Sequence, residues 1–364
     1  MAVLKKKHIL LLFLISALRV AAFGPQPAAG AAIAEIFCTG AYPEANLDSV
    51  AAWNKEKNSR WLVATAKDSH QLFVFDGFTG EMIRKVGGPG DRPGQFQRPN
   101  GIFIINDLVF VAERDNQRCQ VLKLPDFSPV GSFGEKVLEK PYGIYVLASE
   151  QNGAYQVFIT DDFEAGPKQA PPLSQRGKRF SVSIGENRVS ASLIQFFGEA
   201  KGPGALDKTE SLWADPAANR LLIADESKQN IKIYTLDTGK FSGKVLGQGY
   251  FRDHPEDDPE GIALFPGNKT SEGMWIFTHQ REHGRSRFHL FDRQTLDYVS
   301  TFKGKRTANT DGIWLEAAAA GDSERGAIFY AIHDDQGICA FSMDAVLKQT
   351  NLKQARDKGQ KKEK

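Results

Sequence analysis

Three short segments in the second half of the chain place a carboxylate just ahead of an apolar run, at a regular spacing. They read Thr209-Glu210-Ser211-Leu212-Trp213, Asp258-Pro259-Glu260-Gly261-Ile262 and Thr310-Asp311-Gly312-Ile313-Trp314. Each run leads into a second strand-like stretch, Leu221–Ala224, Met274–Phe277 and Ala327–Tyr330. The segments start about 50 residues apart, the period of a four-stranded unit that repeats around a ring. Equivalent positions of such units converge on a central channel. Acids repeated at one of them make a ring of oxygen ligands, which suits a hard cation such as calcium. The competing reading is that acids at strand starts cap turns or bond the neighbouring backbone. It fits Asp258 and Asp311, which stand beside turn residues, better than Glu210 and Glu260.

The elements that must position these acids follow from the same periodicity. Apolar alternation, a turn and renewed alternation run through Trp61–Thr65, Gln71–Asp76 and Met82–Val86. The pattern returns at Gly101–Ile105, Val109–Ala112 and Cys119–Leu124, and again at Gly143–Leu147, Gln156–Thr160 and Ala191–Phe197. Between the last two stretches, Phe163–Arg188 is rich in Pro, Gly, Lys and Arg and is expected to be a surface loop. With the repeats that begin at Glu210, Glu260 and Asp311, the expectation is an all-β, six-bladed β-propeller. Ala34–Phe37 is expected to be a lone strand that completes the last blade and closes the ring. Trp53, Trp61, Trp213, Trp275 and Trp314 recur at repeat positions and read as blade-packing residues. Asp225, by strand alternation, points away from Glu226 and reads as structural.

Composition fits one large domain. The chain has 364 residues, 41% of them hydrophobic, and its 34 glycines suit many tight turns. With 46 basic against 44 acidic residues, the net charge of +2 argues for no nucleic-acid partner. Lys5-Lys6-Lys7, the apolar stretch Ile9–Ala22 and the small residues Ala28–Ala32 resemble an export signal over residues 1–32. The stretch is too short for a stable membrane span, so a secreted or periplasmic location is expected. The propeller is expected over 33–347, followed by a basic, disordered tail over 348–364. Cys38, Cys119 and Cys339 are too few and too scattered for a disulfide framework or a thiolate metal site. Cys38 and Cys339 either meet, if the first strand pairs with the last blade, or are ordinary buried cysteines. His279 and His283 are four apart, but Gly284 and the strand-like context argue against a helical metal pair.

These motifs resemble those of the β-propeller phytases, secreted calcium-dependent enzymes that strip phosphate from myo-inositol hexakisphosphate. The resemblance covers about Leu47–Phe341. It is strongest at Thr209-Glu210, Ile223-Ala224-Asp225-Glu226, Asp258-Pro259-Glu260-Gly261 and Thr310-Asp311-Gly312. It implies that Asp48, Glu210, Glu226, Asp258, Glu260, Gln280 and Asp311 hold calcium, with Asp48 standing where the family has an Asp-Asp pair. The second member of that pair is Ser49 here. Lys67, Arg114 and Tyr142 fall on phosphate-contacting positions. With Glu210 and Glu260, Lys67 and Arg114 make up the expected catalytic set.

One position departs from the pattern. After Val157–Thr160 the family carries a lysine on the phosphate, whereas this chain has Asp161-Asp162. A carboxylate there repels a phosphate unless it binds another cation, and Lys168 is the nearby candidate to replace the lost charge. A second likeness lies in Gly90–Ile102, which looks like the start of an NHL repeat, a propeller unit commonly used for binding. The expectation is a monomeric calcium-dependent phosphomonoester hydrolase acting on a small-molecule phosphoester. The alternatives are a non-catalytic calcium- or partner-binding propeller and a calcium-dependent lactonase. Fold alone does not choose among them.

Overall fold

The computed structural model describes residues 30–56, 59–163, 172–186, 188–247, 249–251, 257–267, 272–281, 284–317 and 326–350. It is a six-bladed β-propeller. Two short strands come first, β1 (Ala31–Ile33) and β2 (Phe37–Cys38). The first blade is β3 (Leu47–Glu56), β4 (Ser59–Ala66), β5 (Gln71–Asp76) and β6 (Met82–Val86). The second is β7 (Pro99–Ile105), β8 (Leu108–Glu113), β9 (Arg118–Lys123) and β10 (Ser128–Phe133). The third is β11 (Pro141–Ala148), β12 (Ala154–Asp161), β13 (Gly177–Ile184) and β14 (Val189–Phe197). The fourth is β15 (Thr209–Asp215), β16 (Arg220–Asp225), β17 (Asn230–Thr235) and β18 (Phe241–Leu246). The fifth contains β19 (Asp258–Pro266), β20 (Gly273–Gln280), β21 (Arg285–Asp292) and β22 (Tyr298–Ala308). The sixth contains β23 (Ile313–Glu316), β24 (Ile328–His333) and β25 (Gly337–Ser342). A short helix, α1 (Met343–Gln349), capped by the Ser342 hydroxyl, follows. Lys348, assigned to the tail from sequence, therefore lies in this helix; residues 351–364 lie outside the described residues.

Two sequence expectations are corrected here. The closing strand is not Ala34–Phe37. β2 pairs antiparallel with β25 and completes the sixth blade, while β1 pairs parallel with β22 on the fifth. Glu35, at the switch from one blade to the next, accepts the backbone N–H groups of Arg306 and Thr307 at 2.8 and 3.0 Å. The stretch Phe163–Arg188 is not simply a loop, because it contains β13, the third strand of its blade. Its basic residues disguised it: Lys178 is buried against Asp161 at 2.7 Å, and Arg176 stacks over the Phe163 ring. Lys168 lies outside the described residues.

The six inner strands β3, β7, β11, β15, β19 and β23 pack side by side and close the ring. Glycine makes this closeness possible: a Cβ on Gly101 would lie 2.2 Å from the Tyr142 carbonyl oxygen of the next blade. Three residues beyond Asp48, Asn100, Tyr142, Glu210, Glu260 and Asp311, one from each blade, stand Ala51, Phe103, Tyr145, Trp213, Ala263 and Trp314. Phe103, Trp213 and Trp314 pack mutually, with ring centroids 5.2–5.9 Å apart. Trp213 and Trp314 thus fill the channel rather than pack between blades. About 40 Å³ of space remains, lined by residues that include Ser49, Gly101, Gly143, Ser211 and Gly312.

Candidate metal centre at one mouth of the channel

Five inner strands break register at the same place: between Leu47 and Val50, Pro99 and Ile102, Pro141 and Ile144, Thr209 and Leu212, and Pro259 and Ile262. Each break holds two residues, and the first is Asp48, Asn100, Tyr142, Glu210 or Glu260. Asp311, immediately before Gly312 and β23, holds the same place in the sixth blade. Bulges of this kind re-aim side chains. In two blades a threonine on the second strand supports the break. Thr65 and Thr160 accept the N–H groups of Ser49 and Gly143, and donate to the Asn100 and Glu210 carbonyls of the next blade at 2.5 and 2.6 Å. A second row of side chains follows the strand residues in register with the breaks: Lys67, Arg114, Asp162, Glu226 and Gln280.

The ring divides into two halves. In one, Lys67 lies 2.8 Å from Asp48 and 3.2 Å from Asp311, and the Tyr142 hydroxyl donates to Asp48 at 3.0 Å. The Gln280 amide donates to Asp311. Burial pulls the Lys67 ammonium down, but Asp48 and Asp311 more than offset it, so the cation is strongly held. Asp311 is still pushed up to about 7, by burial first and by Asp48 next, with Lys67 opposing. Burial, then Asp48 and the other ring acids, drives the Tyr142 phenol far up.

In the other half, ligand oxygens of Glu210, Glu226 and Glu260 lie within 4.8 Å of one another. Glu210 and Glu260 are 3% and 7% exposed, and Oε2 of Glu210 is buried with no hydrogen-bond partner. Burial and then the Glu226 charge push Glu210 well above the carboxylate range. Burial and then Glu210 do the same for Glu260. Asp258 is raised to about 7 by burial and then by the charge of Glu226. Lys208 pairs with Glu226 from the rim. Buried acids so close together require either shared protons or a cation. Oxygens bound to one calcium ion at roughly 2.4 Å each are at most about 4.8 Å apart, a limit these three meet. The donor set therefore fits calcium.

Asp161 and Asp162 part company. Asp161 turns into its blade, accepting from the Glu139 and Lys140 backbone and from Lys178. Asp162 turns toward the fourth blade, accepting from the Thr209 N–H at 3.3 Å with Arg176 at 3.8 Å. Burial raises it to about 6 against Arg176. Arg114 occupies the second row, but its guanidinium pairs with the adjacent Asp115 at 2.8 Å rather than with the ring acids. Asp225 caps the turn after β16 and pairs with Lys232. His283 lies outside the described residues, and His279 is buried within the fifth blade. Sequence reasoning missed Asn100, which is 1% exposed with both amide atoms unpartnered. The Pro-Asn-Gly that holds it matches Pro-Tyr-Gly and Pro-Glu-Gly in two other blades. That match was the available signal.

No helix among the described residues is long and apolar enough to cross a membrane. No family profile matches the chain, and no curated protein matches it. Among solved structures it is similar to a luciferin-regenerating enzyme, at 12% identity and a TM-score of 0.50, over 83% of this chain and 92% of that one. It is likewise similar to a chain of a nidogen/laminin complex, at 14% identity and a TM-score of 0.50, over 74% and 84%. At these identities the likeness establishes the propeller fold alone.

Proposed function

We propose that the protein is an exported calcium-dependent hydrolase of phosphate monoesters, of the phytase type. The observation that carries the reading is the Glu210–Glu226–Glu260 cluster with its orphaned Glu210 oxygen, at the same channel mouth as Lys67. Glu210, Glu226 and Glu260 would hold calcium, with Asp258 beside them. A bound calcium supplies charge neutralisation for phosphoryl oxygens and a water of lowered pKa. Lys67, kept protonated by Asp48 and Asp311, presents positive charge to the anionic substrate. The Tyr142 hydroxyl stays protonated and can donate to a phosphoryl oxygen in place of Asp48. The aromatic layer below the ring confines the substrate to one mouth. The Cys38–Cys339 disulfide supports export to an oxidising compartment.

A second reading is favoured by Asp162 and by the pairing of Arg114 with Asp115, which leave few free cations for a phosphate. It is hydrolysis of an uncharged ester or lactone at the same metal. Phosphate release from myo-inositol hexakisphosphate and simple phosphomonoesters, assayed with calcium and then with chelator, separates the two. Release that needs calcium is expected. No release from any phosphoester, with calcium-dependent lactone opening, would replace the first reading by the second.

A further inference from the structure

Two of the proposed metal-site residues, Glu226 and Asp258, and Gln280 from the other half of the ring are tied together by one residue that is not among them. The backbone carbonyl of Asp257 accepts from the Gln229 side-chain amide at 2.9 Å, and Gln229 closes the turn that begins at Glu226. The Asp257 carboxylate meets His279 Nε2 at 3.1 Å and lies 3.5 Å from Arg281 Nε. His279 and Arg281 are the residues on either side of Gln280. Asp258 follows Asp257 directly and stands in register with Gln280. Asp257 is thus fastened to the turn carrying Glu226 and to both flanks of Gln280, and it leads directly into Asp258.

Behind it runs a buried line of hydrogen bonds. His279 Nδ1 lies 3.2 Å from His289 Nε2, His289 Nδ1 lies 2.8 Å from the Thr301 hydroxyl, and that hydroxyl lies 2.8 Å from the Tyr298 hydroxyl. Asp257, His279, His289 and Thr301 are all buried, and Phe251 packs on both imidazoles. One set of donors satisfies the line: Tyr298 to Thr301, Thr301 to His289, His289 Nε2–H to His279, and His279 Nε2–H to Asp257. Every donor then points toward the Asp257 carboxylate. A buried carboxylate without such partners would be costly to keep in place.

We infer that Asp257 is a positioning residue for the metal centre, held by the His279–His289–Thr301–Tyr298 line, and that it aims Asp258 and Gln280 at the ring. The inference rests on the calcium reading above. It is tested with His289→Leu, His289→Gln and Asp257→Asn, none of which removes a proposed ligand. Calcium affinity is measured by calorimetry, and order at the Gln280 side-chain amide by nitrogen-15 relaxation in calcium-free protein. His289→Leu and Asp257→Asn are expected to weaken calcium by about tenfold, the lower end of losses for outer partners of metal ligands. They are also expected to mobilise the Gln280 amide. His289→Gln is expected to stay within about twofold, because its amide can donate to His279 and accept from Thr301. Should His289→Leu fail to fold, Thr301→Val, which cuts the line further out, carries the comparison. Unchanged calcium affinity in all variants, with the Gln280 amide still ordered, overturns the inference and leaves the calcium reading standing. No calcium binding by the wild type defeats that reading instead, and the Gln280 relaxation then decides the inference alone.

Discussion

At the scale of single residues, the candidate metal centre is a set of acids kept close against their own repulsion. Glu260→Gln removes one of those charges at nearly constant volume. Calorimetry is expected to show calcium affinity falling by at least tenfold, a loss of about 1.4 kcal/mol or more. In chelator the same variant should melt higher than wild type, because Glu210 and Asp311 lose a buried like-charged neighbour. A lower melting temperature in chelator would mean that Glu260 serves the fold instead. Asp162→Lys should strengthen binding of orthophosphate, since it exchanges a repelling carboxylate for a cation. Asn100→Leu removes two buried, unpartnered amide atoms, so its stability should match or exceed wild type. Clear destabilisation would show that the amide has a structural partner.

At the scale of elements, the repeated register break is the device that turns chain periodicity into a ring. It works only if adjacent inner strands approach closely, and glycine at the second position of the break permits that in four blades. A Cβ on Gly143 would lie 2.6 Å from the Glu210 carbonyl oxygen and 3.0 Å from the Ser211 Cα, both of them backbone. Gly143→Ala is therefore expected to cost about 1–3 kcal/mol, the usual range for overpacking. It should also weaken calcium binding, because the backbone it displaces carries Glu210. Thermal melting and calcium titration of the one variant test both halves. A stability loss with calcium affinity untouched would detach the strand contact from the site.

At the scale of the whole molecule, closure of the ring and the proposed calcium both bear on stability. The Cys38–Cys339 disulfide fastens β2 to β25 across 301 residues of sequence. Reducing it, or making the Cys38→Ser/Cys339→Ser variant, should lower stability by about 2–5 kcal/mol. No change on reduction would show that strand pairing alone closes the ring. Calcium at about a hundredfold excess over Kd should add roughly 2.7 kcal/mol. The metal-free protein should respond to pH in the opposite sense to one stabilised by ion pairs. Burial raises Asp162 to about 6 and Asp258 and Asp311 to about 7, while unfolded carboxylates titrate near 4. Between these values the native state binds more protons than the unfolded chain, so stability falls as pH rises. In chelator the melting temperature should therefore drop from pH 5 to pH 8, and calcium should flatten the drop. A chelated protein that melts higher at pH 8 would contradict the crowding of these acids.

The sequence by itself determined the class of fold, because alternation, turn residues and a repeat length are local properties written along the chain. It also marked Glu210, Glu260 and Asp311 as equivalent, since each precedes an apolar run at the same point of its repeat. It did not reveal β13, because Lys178 and the Arg176 just before it read as solvent-facing until Asp161 and Phe163 were seen to bury them. Nor did it separate the acids into two groups. Lys67, some 244 residues from Asp311, pairs with Asp48 and Asp311 and stands apart from the Glu210–Glu226–Glu260 group, which the calcium reading assigns to a metal. Arg114 stood in the right row, yet its neighbour Asp115 takes its charge. Asn100 passed unnoticed because an uncharged amide is remarkable only when buried without partners. Pairing and burial depend on which blades meet, and only the closed ring decides that.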